Sequence, residues 1–202
     1  MTNKPRIAII IGSTRDSRFG AKPAEWILEQ ARARGDWEVE LVDLKTFDLP
    51  LFNEVASNAW MPSADARAVA WQQKIDGFDG YIFVTPEYNR SIPAALKNAL
   101  DQAYVDWNRK AFGIVSYGAV GGTRAAEHLR TIGIELQMAS TRAAVHIGGA
   151  DFFAVHPMGG NPQPMAAIEG TIGGSAKAML DDLDWWTRAT MAARAGAVAK
   201  AA

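Results

Sequence analysis

From Gly12 to Gly20 the chain reads Gly-Ser-Thr-Arg-Asp-Ser-Arg-Phe-Gly, so three hydroxyls and two guanidinium groups follow directly on the aliphatic run Ile7-Ala8-Ile9-Ile10-Ile11. A near-continuous aliphatic run reads as a parallel strand buried on both faces. The segment after the turn is amphipathic, so the turn stands where a helix begins. The first amides of a helix have no intrahelical partner and lie at the positive end of its dipole. Ser13, Thr14 and Ser17 add hydroxyl donors, and Arg15 and Arg18 add planar charge suited to gripping an anion with paired hydrogen bonds. The chemistry expected here is phosphate binding. Two better-known phosphate loops are disfavoured: Ser17 stands where G-x-x-x-x-G-K-[ST] needs its second glycine, and Thr14 where G-x-G-x-x-G needs its own.

Two further turns have the composition of a binding site. Thr85-Pro86-Glu87-Tyr88-Asn89-Arg90-Ser91 follows the aliphatic and aromatic run Tyr81-Ile82-Phe83-Val84. Pro86 fixes its own φ and biases Thr85 towards an extended conformation, which gives the turn a defined shape. Tyr88 offers a ring face or a phenol, and Asn89 offers both a donor and an acceptor. Ser116-Tyr117-Gly118-Ala119-Val120-Gly121-Gly122 follows a strand that starts at Ala111, and its three glycines permit close backbone approach to a ligand.

The elements that must position these turns alternate between strand and helix patterns, which predicts a parallel sheet with helices on both faces. Helices are expected over 23–34, 64–75, 91–101 with Ser91 as N-cap, 123–136 and 175–194. Strands are expected over 7–11, 39–44, 81–84, 111–117 and 143–147. A polar, proline-containing stretch, 48–63, is positioned to close over a site. A loop is expected over 148–174, and 195–202 is expected to fray as the tail of a single domain spanning 1–202. Five strands at this spacing suit the flavodoxin-like α/β fold, a doubly wound five-stranded parallel sheet of order 2-1-3-4-5. That order binds ligands beyond the carboxyl ends of its strands, with FMN at the switch point between strands 1 and 3.

On Gly12-Ser13-Thr14-Arg15 with Arg18 and Gly20, on Pro86-Glu87-Tyr88-Asn89 followed by Ser91-Ile92-Pro93-Ala94-Ala95-Leu96-Lys97-Asn98, and on Ser116-Tyr117-Gly118 with Gly121-Gly122, the chain resembles the NAD(P)H-dependent FMN reductases of the flavodoxin-like superfamily. The middle motif is the most specific of the three. The resemblance implies FMN as cofactor and NADPH or NADH as co-substrate. Its phosphate would lie at Ser13, Arg15, Ser17 and Arg18, beside Phe19 and Gly20. Its ring would lie against Pro86, Glu87, Tyr88 and Asn89 on one side and Ser116, Tyr117, Gly118, Gly121 and Gly122 on the other. It further implies flavin, quinone, azo or metal-ion acceptors and a homodimer or homotetramer. The pair Asp16-Ser17 departs from the glycine-containing turn common in that family. Because a flavin carries the redox chemistry, no catalytic acid–base dyad is expected.

Composition narrows the alternatives. With 21 basic and 22 acidic residues the net charge is −1, so no broad positive field exists to track nucleic acid, and the strongly acidic field of an electron carrier is missing too. The absence of cysteine removes thiolate chemistry and fits a reducing, cytoplasmic compartment. No secretion signal or membrane span is expected. His128, His146 and His156 lack metal-ligand spacing and are read as structural or solvated, with no metal site. Trp26, Trp60, Trp71, Trp107, Trp185 and Trp186 are read as core or subunit-interface residues. A redox-inactive nucleotide-binding module is the remaining alternative.

Overall fold

The computed structural model describes residues 4–201, with side chains through 196. Its strands are β1 (Arg6–Ile11), β2 (Glu38–Asp43), β3 (Gly80–Pro86), β4 (Ala111–Tyr117), β5 (Ala139–Ser140) and β6 (Val145–Ile147). The helices are α1 (Ala21–Ala33), α2 (Ala66–Asp76), α3 (Ala94–Asp101), α4 (Thr123–Glu135), α5 (Gly149–Val155) and α6 (Glu169–Ala201). All pairings are parallel and the order is β2-β1-β3-β4-β5, the flavodoxin-like arrangement, with β6 also against β4.

The side-chain alternation of a strand divides β1 between two cores. Ile7, Ile9 and Ile11 face Ile27 of α1 and Met179 and Leu183 of α6. Ala8 and Ile10 face Trp71 of α2, Leu96 of α3 and Leu129 of α4. β3 and β4 are buried along their whole length. Only a sheet covered on both faces can hold such a run, which is why the aliphatic pattern was legible as a central strand.

Several expectations need correction. The fifth strand position is shared by β5 and β6, because the intervening Arg142 amide donates to Asp182 of α6 at 2.8 Å instead of continuing the ladder. Ser91 does not cap α3; the helix starts at Ala94 with Pro93 as N-cap, and Ser91 belongs to the preceding turn. The stretch expected as a loop over 148–174 contains α5 and the start of α6. Gly170, Gly173 and Gly174 disguise that start. Tertiary packing overrides their weak helix propensity: Ile168, Ile172 and Ala176 are buried, and Glu169 accepts from Trp26 Nε1 at 2.5 Å. Of the end expected to fray, side chains from 197 onward lie outside the described residues, and the helix backbone runs to Ala201. Trp71 and Trp107 are fully buried, whereas Trp60 and Trp185 are largely exposed. No helix among the described residues is long and apolar enough to cross a membrane.

Gly133, buried in α4, shows how tightly the helix layer sits on the sheet. A Cβ there would lie 2.5 Å from Cε1 of the buried Phe112 ring. Alanine normally stabilises a helix interior by about 1 kcal/mol over glycine, but overpacking a core costs about 1–3 kcal/mol. The second effect wins, because the Phe112 ring is itself buried and packed edge-on against Phe83. Gly133→Ala is therefore expected to lower the free energy of unfolding in urea by about 1 kcal/mol or more, and a stabilised variant would contradict this packing.

Candidate active site

The turns after β1, β3 and β4 leave the same edge of the sheet and meet there. In the first, Ser13 is 1% exposed and its Oγ lies 3.3 Å from the Tyr88 hydroxyl of the second turn. Arg15 Nη1 donates to the same hydroxyl at 3.3 Å, and its guanidinium stands 5.9 Å from the Tyr88 ring centre. Arg15 Nη2 reaches Ser17 Oγ at 3.4 Å. Among the described residues Arg15 has no carboxylate partner. Helix α1 follows with Gly20 as N-cap and no side-chain cap, so no side chain occupies the first-turn amides. Gly20 is needed for space: a Cβ there would stand 2.6 Å from the Tyr117 hydroxyl.

Two ion pairs join this turn to β2 and its exit. Asp16 pairs with Lys45 at 2.5 Å, which neutralises its carboxylate and holds it below its usual range. Arg18 pairs with Asp43, the last residue of β2. One guanidinium nitrogen of Arg18, Nη1, is buried with no hydrogen-bond partner. The expected phosphate role of Arg18 is thus reduced to that nitrogen. Phe19 does not line the crevice: it is buried edge-on against Tyr117, at 5.2 Å between ring centres, and against Phe152.

In the second turn Pro86 is the last residue of β3 and lies opposite Tyr117. The Glu87 amide donates to the Tyr117 carbonyl at 3.1 Å, joining the second turn to the third. Its carboxylate is only 7% exposed and is held within the protein by Arg124. Tyr88 and Ser91 exchange two backbone hydrogen bonds, of 2.9 and 3.0 Å, around Asn89 and Arg90.

The third turn is built on buried contacts. Ser116 is fully buried and donates to the Gly121 carbonyl at 2.7 Å, with His146 Nδ1 also at 2.7 Å, so its hydroxyl faces inward rather than into the crevice. Gly118, Gly121 and Gly122 have positive φ. Gly122 is required twice over, by its φ of 66° and because a Cβ would come within 2.9 Å of Ser116 Cβ. Tyr117 is buried, and that burial pushes its phenol well above the usual range, so it stays protonated.

Sequence reasoning missed Asp43 and Lys45 because each acts through a partner distant in the chain, whereas Arg124, a sequence candidate with Arg90 and Arg18 for a 2′-phosphate, pairs with Glu87. An open cleft of about 450 Å³ lies beside the first turn, bordered by Thr14, the 44–51 segment and Ala94, Ala95 and Asn98 at the start of α3. The 48–63 stretch is tied down there: Asn98 and Gln102 donate to the Pro50 carbonyl at 2.8 and 2.6 Å. Its Asp48, Leu49 and Leu51 wall this cleft beside Thr14 of the first turn. No cluster of metal-ligating side chains occurs among the described residues. What the three turns do offer is an anion cradle with an unopposed Arg15, beside the backbone of Pro86–Asn89 and Ser116–Gly122.

A family model described as NADPH-dependent FMN reductase matches residues 5–151. A NAD(P)H-dependent FMN reductase of Schizosaccharomyces pombe is 37% identical over 145 residues, covering 70% of this chain and 72% of that protein. An NADPH:quinone oxidoreductase of Arabidopsis thaliana is 36% identical over 140 residues, covering 66% and 68%. Among solved structures, the flavoenzyme NAD(P)H:(acceptor) oxidoreductase FerB of Paracoccus denitrificans has a TM-score of 0.64 at 23% identity. It covers 89% of this chain and 97% of that one, a likeness of fold.

Two histidines next to the site give it a pH signature. His156 stacks on Phe152 at 4.4 Å between ring centres, and its Nδ1 accepts from the Met158 amide at 3.1 Å. Burial, with the Arg15 cation second, holds it below the ordinary histidine value, and burial does the same to His146. The folded state therefore binds these protons more weakly than the unfolded chain does. Stability is full above the ordinary value of 6.5 and falls as pH drops through it. Urea unfolding at about pH 7.5 and about pH 5.5 is expected to show this loss, and His156→Phe to reduce it. An equal loss in both proteins would remove His156 from the account.

Proposed function

We propose that this chain, which belongs to the NADPH-dependent FMN reductase family, binds FMN across its three converging turns and uses it to pass electrons from NADPH or NADH to a small-molecule acceptor. The observation that carries this reading is the Tyr88 phenol, which stands within 3.3 Å of both Ser13 and Arg15 and so joins the anion cradle to the second turn. A flavin mononucleotide makes the same two demands, a phosphate at one end and a planar ring at the other.

In this reading Ser13, Arg15, Ser17 and the Ala21 amide at the start of α1 hold the phosphate, since Pro23 has no N–H and the Lys22 amide donates to the Phe19 carbonyl, and the buried, unpartnered Nη1 of Arg18 completes the donor set. A phosphate that accepts from these groups satisfies a buried nitrogen that otherwise carries a desolvation penalty. Pro86 to Asn89 and the backbone from Ser116 to Gly122 bound the ring. FMN, when bound, supplies the redox chemistry. The chain's own work is to hold the phosphate and to orient the two substrates against the ring, while the Tyr117 phenol, protonated beside Gly20, packs the base of the first turn.

For the acceptor, the relatives named as an NADPH:quinone oxidoreductase and as a 2-hydroxy-1,4-benzoquinone reductase of a Burkholderia species support the reading of a quinone, with free flavin, azo compounds and oxidised metal ions as further acceptors in the proposal. A homodimer or homotetramer is part of the proposal. Leu51, Val55 and Trp60, at 78%, 89% and 84% exposure in one connection, give it an apolar surface to bury. A reducing, cytoplasmic setting is in keeping with the lack of cysteine.

Adding NADPH without air to the FMN-loaded protein is expected to bleach its yellow colour. A protein that ignores FMN, or one that binds it yet stays yellow with NADPH and NADH, would contradict the proposal. A hydrogen bond to a charged group contributes about 1.5–3 kcal/mol, so Arg15→Ala should weaken FMN about tenfold or more. Riboflavin, which lacks the phosphate, should bind that variant as it binds the parent, whereas Tyr88→Ala should weaken both. Equal loss of FMN and riboflavin in Arg15→Ala would place the phosphate elsewhere.

A further inference from the structure

The turn that carries Tyr88 is held in an unfavourable shape. Asn89 has a φ of 50° and Arg90 a φ of 71°, so two consecutive residues with side chains occupy the left-handed region that glycine normally fills. Two backbone hydrogen bonds between Tyr88 and Ser91 close the turn, but they join it only to itself. Something outside must keep it in place against the first turn.

Besides the contacts of the Tyr88 phenol with the first turn and of the Glu87 amide with the Tyr117 carbonyl, helix α4 supplies two more. Arg124 and His128 are four residues apart and so share one face of the helix. Arg124 Nη2 lies 2.5 Å from Glu87 Oε1, and its backbone amide donates to Glu87 Oε2 at 3.1 Å. The Glu87 carboxylate thereby caps a helix whose own N-cap, Gly122, has no side chain to do so. His128 Nδ1 lies 2.6 Å from Ser91 Oγ. Glu87 and Ser91 immediately flank the strained pair and Tyr88, so α4 grips the turn at both ends. The same helix begins at Gly122, the end of the third turn, and therefore ties the two proposed ring walls to one rigid element.

We propose that Arg124 and His128 form a two-point clamp from α4 that holds the Tyr88 turn in its strained conformation, with His128 a positioning residue for the flavin site. The effect on FMN rests on the function proposed above; the effect on the turn does not. His128 is exposed, so its replacement removes the bond to Ser91 without opening the core. Asparagine can offer a side-chain amide near the position of Nδ1, which makes His128→Asn the conservative variant.

The test is amide hydrogen exchange at Tyr88 and Ser91 in the full chain, before and after adding FMN, for the parent, His128→Ala, His128→Asn, Ser91→Ala and the double alanine variant. Expected are exchange about tenfold faster in His128→Ala, substantial rescue in His128→Asn, and no further increase when Ser91→Ala is combined with His128→Ala. The FMN dissociation constant of His128→Ala should rise about fivefold, from the loss of one ordinary hydrogen bond, and less than that of Arg15→Ala. Parent-like exchange in His128→Ala, or rates that multiply in the double variant, would overturn the clamp. Faster exchange with an unchanged FMN constant would overturn His128 as a positioning residue. Failure of the parent itself to bind FMN would instead strike the proposed function, leaving the exchange result to judge the clamp.

Discussion

Strands β1, β3 and β4 lie side by side and parallel, so the chain leaves all three at one edge of the sheet. Parallel pairing forces each return through a helix on a face, and both faces here are covered. The turns at that edge lie beyond the packed faces of the sheet, where side chains can serve a ligand. Their separation is fixed by the sheet rather than by the turns themselves. That is what allows a phenol from one turn to reach a hydroxyl and a guanidinium from another at 3.3 Å.

Electrostatic arrangement follows from the same constraint. Three carboxylates stand near the crevice, and each is matched: Asp16 by Lys45, Asp43 by Arg18 and Glu87 by Arg124. Like charges about 4 Å apart repel by about 4 kcal/mol at an effective dielectric of about 20, so an unmatched carboxylate beside an anion would cancel what the cradle gains. With these pairs made, Arg15 is the guanidinium of the first turn left without a carboxylate among the described residues. The near-neutral composition of the whole chain hides this local excess, because it arises from which charges are paired and not from how many there are.

Much of this was legible in the sequence. The unbroken aliphatic run at Ile7 to Ile11 could be read as a central strand because burial on both faces leaves no place for polar residues, and the glycines at Gly20 and Gly122 mark where side chains would collide. The order of the strands followed from their spacing. What stayed hidden depended on distant partners. Nothing in the sequence tells that Asp43 holds one side of the Arg18 guanidinium and leaves Nη1 without a partner, or that Arg124 holds the Glu87 carboxylate. Phe19 lies within the motif but is drawn into the core by Tyr117 and Phe152. The glycine-rich start of α6 was unreadable for a related reason: its helix is imposed by burial of Ile168, Ile172 and Ala176 rather than by local propensity.

The central claim is that one flavin spans all three turns. A crystal structure of the full chain with FMN tests it most directly. The account predicts the phosphate within hydrogen-bond distance of Ser13 and Arg15, and the ring between Pro86–Asn89 and Ser116–Gly122. A flavin lying instead in the cleft bordered by Thr14, Phe47, Leu49 and Asn98, with the Ser13–Tyr88–Arg15 junction untouched, would contradict it.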